Sequence, residues 1–234
     1  MSIIYLLNYH YFGEEENLSS LQRPHQPSET QILAADLPGS ITQAAAEARA
    51  GRLIVIPTDT LYGLAGDAFN AVAVRAIYAA KQRPFSKPIP VLLADSSDLA
   101  RVVRSIPQVA QTFIHQYWPG PLTILLPKHP DLPAEISHND SVAVRIPNNP
   151  VARDIIRAAG GALAVTSANL SGQAPAETAV DAMTKLAGWV TTIIDDGPSP
   201  HSAASTILDC TGHELKVLRE GPISTQSLLG LAKQ

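Results

Sequence analysis

Residues 53–94 read LIVIPTDTLYGLAGDAFNAVAVRAIYAAKQRPFSKPIPVLLA, and their reading decides the fold. The run at 53–56 is short, apolar and rich in β-branched residues, the pattern of a buried strand. Pro57 stops it, because proline has no N–H to give to a ladder. A turn-rich loop follows, through Thr58, Asp59 and Thr60 to Tyr62 and Gly63. Asn70 has the side chain to cap a helix, and Val74, Ile77 and Tyr78 then fall on one face at helical spacing. That helix should end near Lys81, ahead of Pro84. The apolar run at 91–94 predicts a second strand.

Between the helix and that strand lie Lys81, Arg83 and Lys87, three cations within seven residues, among Pro84, Pro88 and Pro90. Proline removes backbone freedom, so a loop stiffened this way holds its cations without a large ordering cost on binding. Fixed cations at a strand end suit a polyphosphate, which arginine can grip bidentately. On a solvated loop the same charges would only keep the protein soluble. Spacing alone does not choose between the two.

Working outward, Ser40 and Gln43 fit a capping box before an alanine-rich helix closed by Gly51. Helices are expected at 98–103 and 107–118, with Pro107 in a first turn and Trp118-Pro119-Gly120-Pro121 as the break. Asn148 or Asn149 can cap a further helix, with Pro150 in its first turn, that ends at Gly160-Gly161. Two more are expected at 178–186 and after Ser224. Strands are expected at 122–126, 142–146, 163–166, 190–194, 206–208 and 215–218. Residues 128–140 read as a polar loop. Strands alternating with helices make the class α/β with a largely buried sheet, in which ligands sit at strand ends against the loops. Residues 1–38 differ in composition, with Glu14, Glu15 and Glu16 in a row and three prolines. They read as a variable extension, a strand at 3–7 and otherwise loop, ahead of a single domain at 39–234.

The chain has 234 residues, 45% of them hydrophobic, enough for a sizeable core. Its net charge of −4 argues against nucleic-acid binding by bulk charge, though it leaves room for a local basic patch. One cysteine, Cys210, excludes an intramolecular disulfide and a cysteine-rich zinc site, and reads as a small core residue. No apolar run approaches membrane-spanning length, so no membrane is expected. The N-terminus lacks a basic start and makes a poor signal or transit peptide, so the expected location is cytoplasmic.

Neither GxxxxGK[ST] nor GxGxxG occurs, and no GxSxG. His129, Asp131 and His138 lack the spacing of a metal site and read as a solvated loop; no metal ligand set is expected. Tyr117 and Trp118 read as core anchors. Arg145 is more telling, since a guanidinium in an apolar strand is costly unless paired or bound to an anion. It is either in a salt bridge with an aspartate or a receptor for carboxylate or phosphate. Arg219 raises the same question. Ser167 and Asn169 either satisfy their own turn or face a ligand. The polar turns at 58–60, 167–169 and 205–206 each adjoin a predicted strand and could converge on one pocket.

Seven motifs in order carry a resemblance: PTDTLYG at 57–63, KQR at 81–83 with KPIPV at 87–91, WPGPLT at 118–123, VAVRIP at 142–147, TSANLSG at 166–172, Ser205-Thr206, and LREGP at 218–222. Together they resemble the YrdC/TsaC family of threonylcarbamoyl-AMP synthases, from about residue 40 to about residue 225. The chain looks like the short, single-domain form. The resemblance implies a three-layer α/β fold, a twisted mixed sheet flanked by helices, with a deep positive cavity. It implies synthesis of L-threonylcarbamoyl-AMP from L-threonine, bicarbonate and ATP, with release of pyrophosphate, for threonylcarbamoyladenosine in tRNA. Lys81 and Arg83 would be the catalytic cations. Arg83, Lys87, Ser141, Ser167, Asn169 and Arg219 would bind ATP, and Mg2+ is expected with the triphosphate. Thr60, Arg145 and Ser205 would hold threonine. Implied partners are downstream proteins that transfer the threonylcarbamoyl group, and tRNA itself. Two positions depart from the family: Asp196 stands where glycine is usual, and so does Ser202. An RNA-binding module without catalysis and a carbamoyl-adenylate-forming domain are the rival readings.

Overall fold

Strand alternation sorts the side chains of the sheet between two core clusters. The computed structural model describes residue 26 and residues 29–200, 203–212 and 214–232. In β2 (Ile54–Ile56), Ile54 and Ile56 enter one cluster and Val55 the other. In β4 (Val91–Leu93), Leu92 joins the first, Val91 and Leu93 the second. β7 (Ala162–Ser167) divides the same way, Leu163 and Val165 against Ala162 and Ala164. Onto the first cluster pack α1 (Ser40–Arg49) and α4 (Pro150–Ala158), through Ala44, Ala48, Ala152, Ile155 and Ile156. Onto the second pack α2 (Ala71–Lys81), α3 (Gln108–Tyr117), α5 (Ala179–Leu186) and α6 (Thr225–Leu231). The result is three layers, helices on both faces of a mixed sheet.

The other strands are β1 (Gln31–Ala34), β3 (Gly63–Asp67), β5 (Leu122–Pro127), β6 (Ser141–Arg145), β8 (Thr192–Asp195), β9 (Thr206–Asp209) and β10 (Lys216–Arg219). Their order among the described residues is β1-β8-β2-β3-β7-β4-β6-β5-β9-β10. Parallel and antiparallel pairs mix: β4 runs parallel to β6 and antiparallel to β7.

Several helix starts follow the expected chemistry. Asn70 accepts the N–H groups of Val72 and Ala73, and Asn149 that of Ala152. Thr178 and Asp181 make a reciprocal capping box. The capping box expected at Ser40 does not form. Gly39, at φ 91°, takes the cap position, and Ser40 lies one residue inside the helix with its hydroxyl unpartnered. Pro107 caps α3 from outside its first turn, and the helix expected at 98–103 is a 3-10 helix, Ser96–Arg101. Residues 31–34, expected as loop within the extension, form β1 and pair in parallel with β8. The strand expected at 3–7 lies outside the described residues. Gly63, expected at the end of a loop, instead opens β3, residues 63–67, the return arm of a hairpin with β2. Trp118 is buried, its indole donating to Leu122 O, and Cys210 sits in the second cluster.

Candidate active site

α1 and α4 pack mainly over β2, β3, β4, β7 and β8. Further along the same face of the sheet, the strands turn different residues outward. On β5, Leu122, Ile124 and Leu126 belong to the opposite cluster, which leaves Thr123 and Leu125 on this face. On β6 the same logic leaves Ser141, Ala143 and Arg145, and beside β9 it leaves Ser205 and Ile207. These residues floor a cavity of about 720 Å³.

One wall begins where α2 ends. The Nζ of Lys81 donates to Ser167 O, to Asn169 O at 2.6 Å and to Asn169 Oδ1 at 3.0 Å. An ammonium has three N–H groups, so all are committed. Lys81 is 1% exposed and does not line the cavity. The cation expected in catalysis is therefore turned into the protein, where it ties the 167–169 turn to α2. Burial and the charge of Arg83 pull its pKa down to about 7. Its three oxygen partners can only accept, so the tie requires the ammonium form. Asn169 is equally occupied: Oδ1 also accepts the Ser167 hydroxyl, and Nδ2 donates to Leu170 O and Gln173 O. Ser167 and Asn169 line the cavity and satisfy their own turn at once.

Gln82, at φ 50°, turns the chain so that Arg83 comes round into the cavity. Its Nε donates to Lys87 O at 3.0 Å and its Nη2 to Pro88 O at 2.9 Å. The Tyr78 hydroxyl lies within reach of Lys87 O and Glu135 O, with its ring 4.5 Å from that of Phe85. The basic loop is thus held by these contacts as well as by its prolines, and Lys87 reaches the cavity from it.

The opposite wall is a clasp between two motifs. A bulge between Val217 and Arg219 re-aims the end of β10. Arg219 donates from Nε to Ser205 O at 2.9 Å and from Nη2 to Ser205 Oγ at 3.3 Å. Thr206 accepts the N–H groups of Gly221 and Ile223 and donates to Ile223 O. Gly221 has to be glycine, since a Cβ would stand 2.3 Å from Ala204 O. Ser205-Thr206 and LREGP are two halves of one structure.

At the end of the floor, Arg145 bears out the salt-bridge reading of a buried guanidinium and also faces the cavity. It lines the cavity, and it is paired: Nη2 with the Asp59 carboxylate, Nη1 with Thr60 Oγ1 at 2.8 Å, Nε with Gly120 O at 2.9 Å. Burial lowers its pKa, Asp59 opposes that, and the charge of Arg219 adds to the lowering. Arg219 in turn is lowered by burial and by Arg83. The three guanidiniums are therefore near enough to repel. Arg83, Lys87, Arg145 and Arg219 line the cavity, and among the described residues no aspartate or glutamate does. Clustered cations of this kind favour an anion of several charges.

The structure brings Thr60, Arg83, Lys87, Ser141, Arg145, Ser167, Asn169, Ser205 and Arg219 onto one cavity and leaves Lys81 behind it. Asp59 and Thr123 were not anticipated. Their signal is faint: Asp59 is one of three polar residues in a loop, and Thr123 is a lone hydroxyl in an apolar strand. Asp196, one of the two departures, is held in place, with its N–H on the Tyr62 hydroxyl and its carboxylate on Asn149 Nδ2. Burial, first among the causes, raises the Tyr62 pKa to about 12. Ser202 lies outside the described residues. Among the described residues no cluster of three or more His, Cys, Asp and Glu could hold a metal, and no helix is long and apolar enough to cross a membrane.

Fold and cavity together define an α/β protein with a cation-lined cavity on a partly uncovered sheet. Residues 46–221 match the Sua5/YciO/YrdC family model, whose description is "Telomere recombination", and the chain belongs to that family. A Mycobacterium tuberculosis protein is 39% identical over 80% of this chain and 87% of its own length. The Bacillus subtilis threonylcarbamoyl-AMP synthase is 38% identical over 80% of this chain and 55% of its own. The crystal structure of Pyrococcus abyssi Sua5 complexed with L-threonine superposes with a TM-score of 0.83 at 32% identity, over 86% of this chain and 61% of that one.

Proposed function

We propose that the chain is a threonylcarbamoyl-AMP synthase, joining L-threonine, bicarbonate and ATP and releasing pyrophosphate. The observation that carries this is the cavity lined by four cations and no carboxylate. The names of its relatives support it. The threonine amine adds to CO2 with loss of a proton, or to bicarbonate with loss of water, to give a carbamate. A carbamate oxygen then attacks the α-phosphate, and pyrophosphate leaves with the electron pair of the broken P–O bond. Such a reaction gains most from positioning and charge neutralisation, which fixed cations supply.

In this reading Arg83 and Lys87 take the phosphates from one wall and Arg219 from the other, with Ser141 and the Ser167–Asn169 turn beside the nucleotide. Thr60, Arg145 and Ser205 face threonine, and Arg145 meets its carboxylate with the N–H groups left over from Asp59, Thr60 and Gly120. Lys81 acts from behind, by holding the turn. Mg2+ would arrive with the triphosphate, since the lining offers it no carboxylate. The product, an acyl adenylate, would pass to proteins that transfer the group to tRNA. A cytoplasmic location fits that task.

The test is labelled pyrophosphate release with each component omitted in turn. Release is expected only with ATP, L-threonine and bicarbonate together. L-Serine should be the closest competitor, since one missing methyl costs only about 1–3 kcal/mol of discrimination. Release without threonine, or none from the folded protein with the full mixture, overturns the reading. A bare RNA-binding module gives no release in any mixture, and a carbamoyl-adenylate-forming domain depends on carbamoyl phosphate.

A further inference from the structure

We propose that Thr123 is a positioning residue for ATP, acting through Ser205 to fix the Arg219 guanidinium in the cavity. The inference rests on the ATP-dependent reading above. β5 is apolar except at Thr123, which is 2% exposed. Its Oγ1 lies 2.8 Å from Ser205 Oγ. Ser205 Oγ also accepts from Arg219 Nη2, and Ser205 O accepts from Arg219 Nε. The serine hydroxyl is thus held between two partners, and its direction is set whichever hydroxyl donates to the other.

The geometry matters because of where Arg219 stands. Its charge and that of Arg83 repel across the cavity, and among the described residues nothing acidic lines the space between them. Without ligand, repulsion would swing a free guanidinium toward solvent. The latch to Ser205 uses one edge of the planar fork, and fixing one edge fixes the plane. Three N–H groups of Arg219 then remain for phosphate. A hydroxyl on β5, a strand buried in the sheet, gives that latch a rigid footing which a loop residue would not.

The test uses Thr123→Val, which keeps shape and loses the hydroxyl, and Thr123→Ser, which keeps the hydroxyl. ATP affinity is measured by titration calorimetry without threonine, on proteins with matching unfolding midpoints. Thr123→Val should bind ATP about tenfold more weakly, the scale of one lost hydrogen bond, and Thr123→Ser should restore it. In an Arg219→Ala background, Thr123→Val should change nothing further, because the residue acts through Arg219. Unchanged affinity in Thr123→Val, failure of serine to restore it, or an additive loss in the double variant overturns the inference. Wild-type protein that binds ATP yet releases no pyrophosphate would sink the function reading and leave the inference standing on its binding ratios. Wild-type protein that does not bind ATP sinks both.

Discussion

The two halves of one sheet face make the informative comparison. Under α1 and α4, the face presents Ile54, Ile56, Ala65 and Leu163, all fully buried. Beyond β4 the same face presents Thr123, Ser141, Ala143, Arg145 and Ile207 to a cavity. Both halves obey the same two-residue alternation. What differs is the chemistry of the alternate positions and, among the described residues, the absence of a covering helix. The candidate site is therefore the continuation of the core into a region where small and polar residues replace most of the large apolar ones.

Substitutions in each half should separate stability from binding. Arg145→Leu should cost most, about 3–5 kcal/mol of stability, because it strands the buried Asp59 carboxylate. A lower urea midpoint would show it; a midpoint equal to wild type would mean that the pair holds nothing together. On the covered half, Ile155→Ala should cost about 2–5 kcal/mol of stability and leave the ATP affinity of folded protein unchanged. Weakened ATP binding there would show that the halves are coupled. Arg83→Ala should reverse the pattern, losing roughly 1.5–3 kcal/mol of ATP binding with threonine binding nearly unchanged. Equal ATP affinity would return the basic loop to a solubilising role. The smallest effect is expected at the N-terminus. A chain beginning at Glu29 should keep its midpoint and its pyrophosphate release, whereas one beginning at Leu37 loses β1 and should unfold at lower urea. Full stability without β1 would remove that strand from the working domain.

Much of this was legible in the sequence. The run at 53–56, the Asn70 cap and the end of α2 at Lys81 all stand where periodicity and capping place them. β3 was hidden because GLAGD has no strand-forming residues. Its glycine at 63 exists for packing: a Cβ there would stand 2.5 Å from Val165 Cγ1. β1 was hidden because it is a largely exposed edge strand, with no alternation to read. At the site, motif order brought the cavity residues together, but Lys81 showed the limit of that reasoning. A lysine beside an arginine in a basic loop reads as a second ligand cation. Only the fold reveals three backbone and amide oxygens waiting for it. The partner of Arg145 was open for the same reason, since no spacing rule links positions 59 and 145.

The strand order also sets a timetable for the nascent chain. β1 and β2 are among the first strands made, yet both pair with β8, Gln31 and Ile54 lying in register with Thr192 from either side. β3 and β4 each wait for β7. Among the described residues only the hairpins β2–β3, β5–β6 and β9–β10 can close from nearby sequence. Non-local pairing of this kind slows folding, and apolar strands that wait are exposed to wrong partners in the meantime. While the ribosome is still making the second half, Ile54, Val55 and Ile56 have no finished sheet to join. α1 and α2, which pack on the first hairpin, are the elements made early enough to shield them.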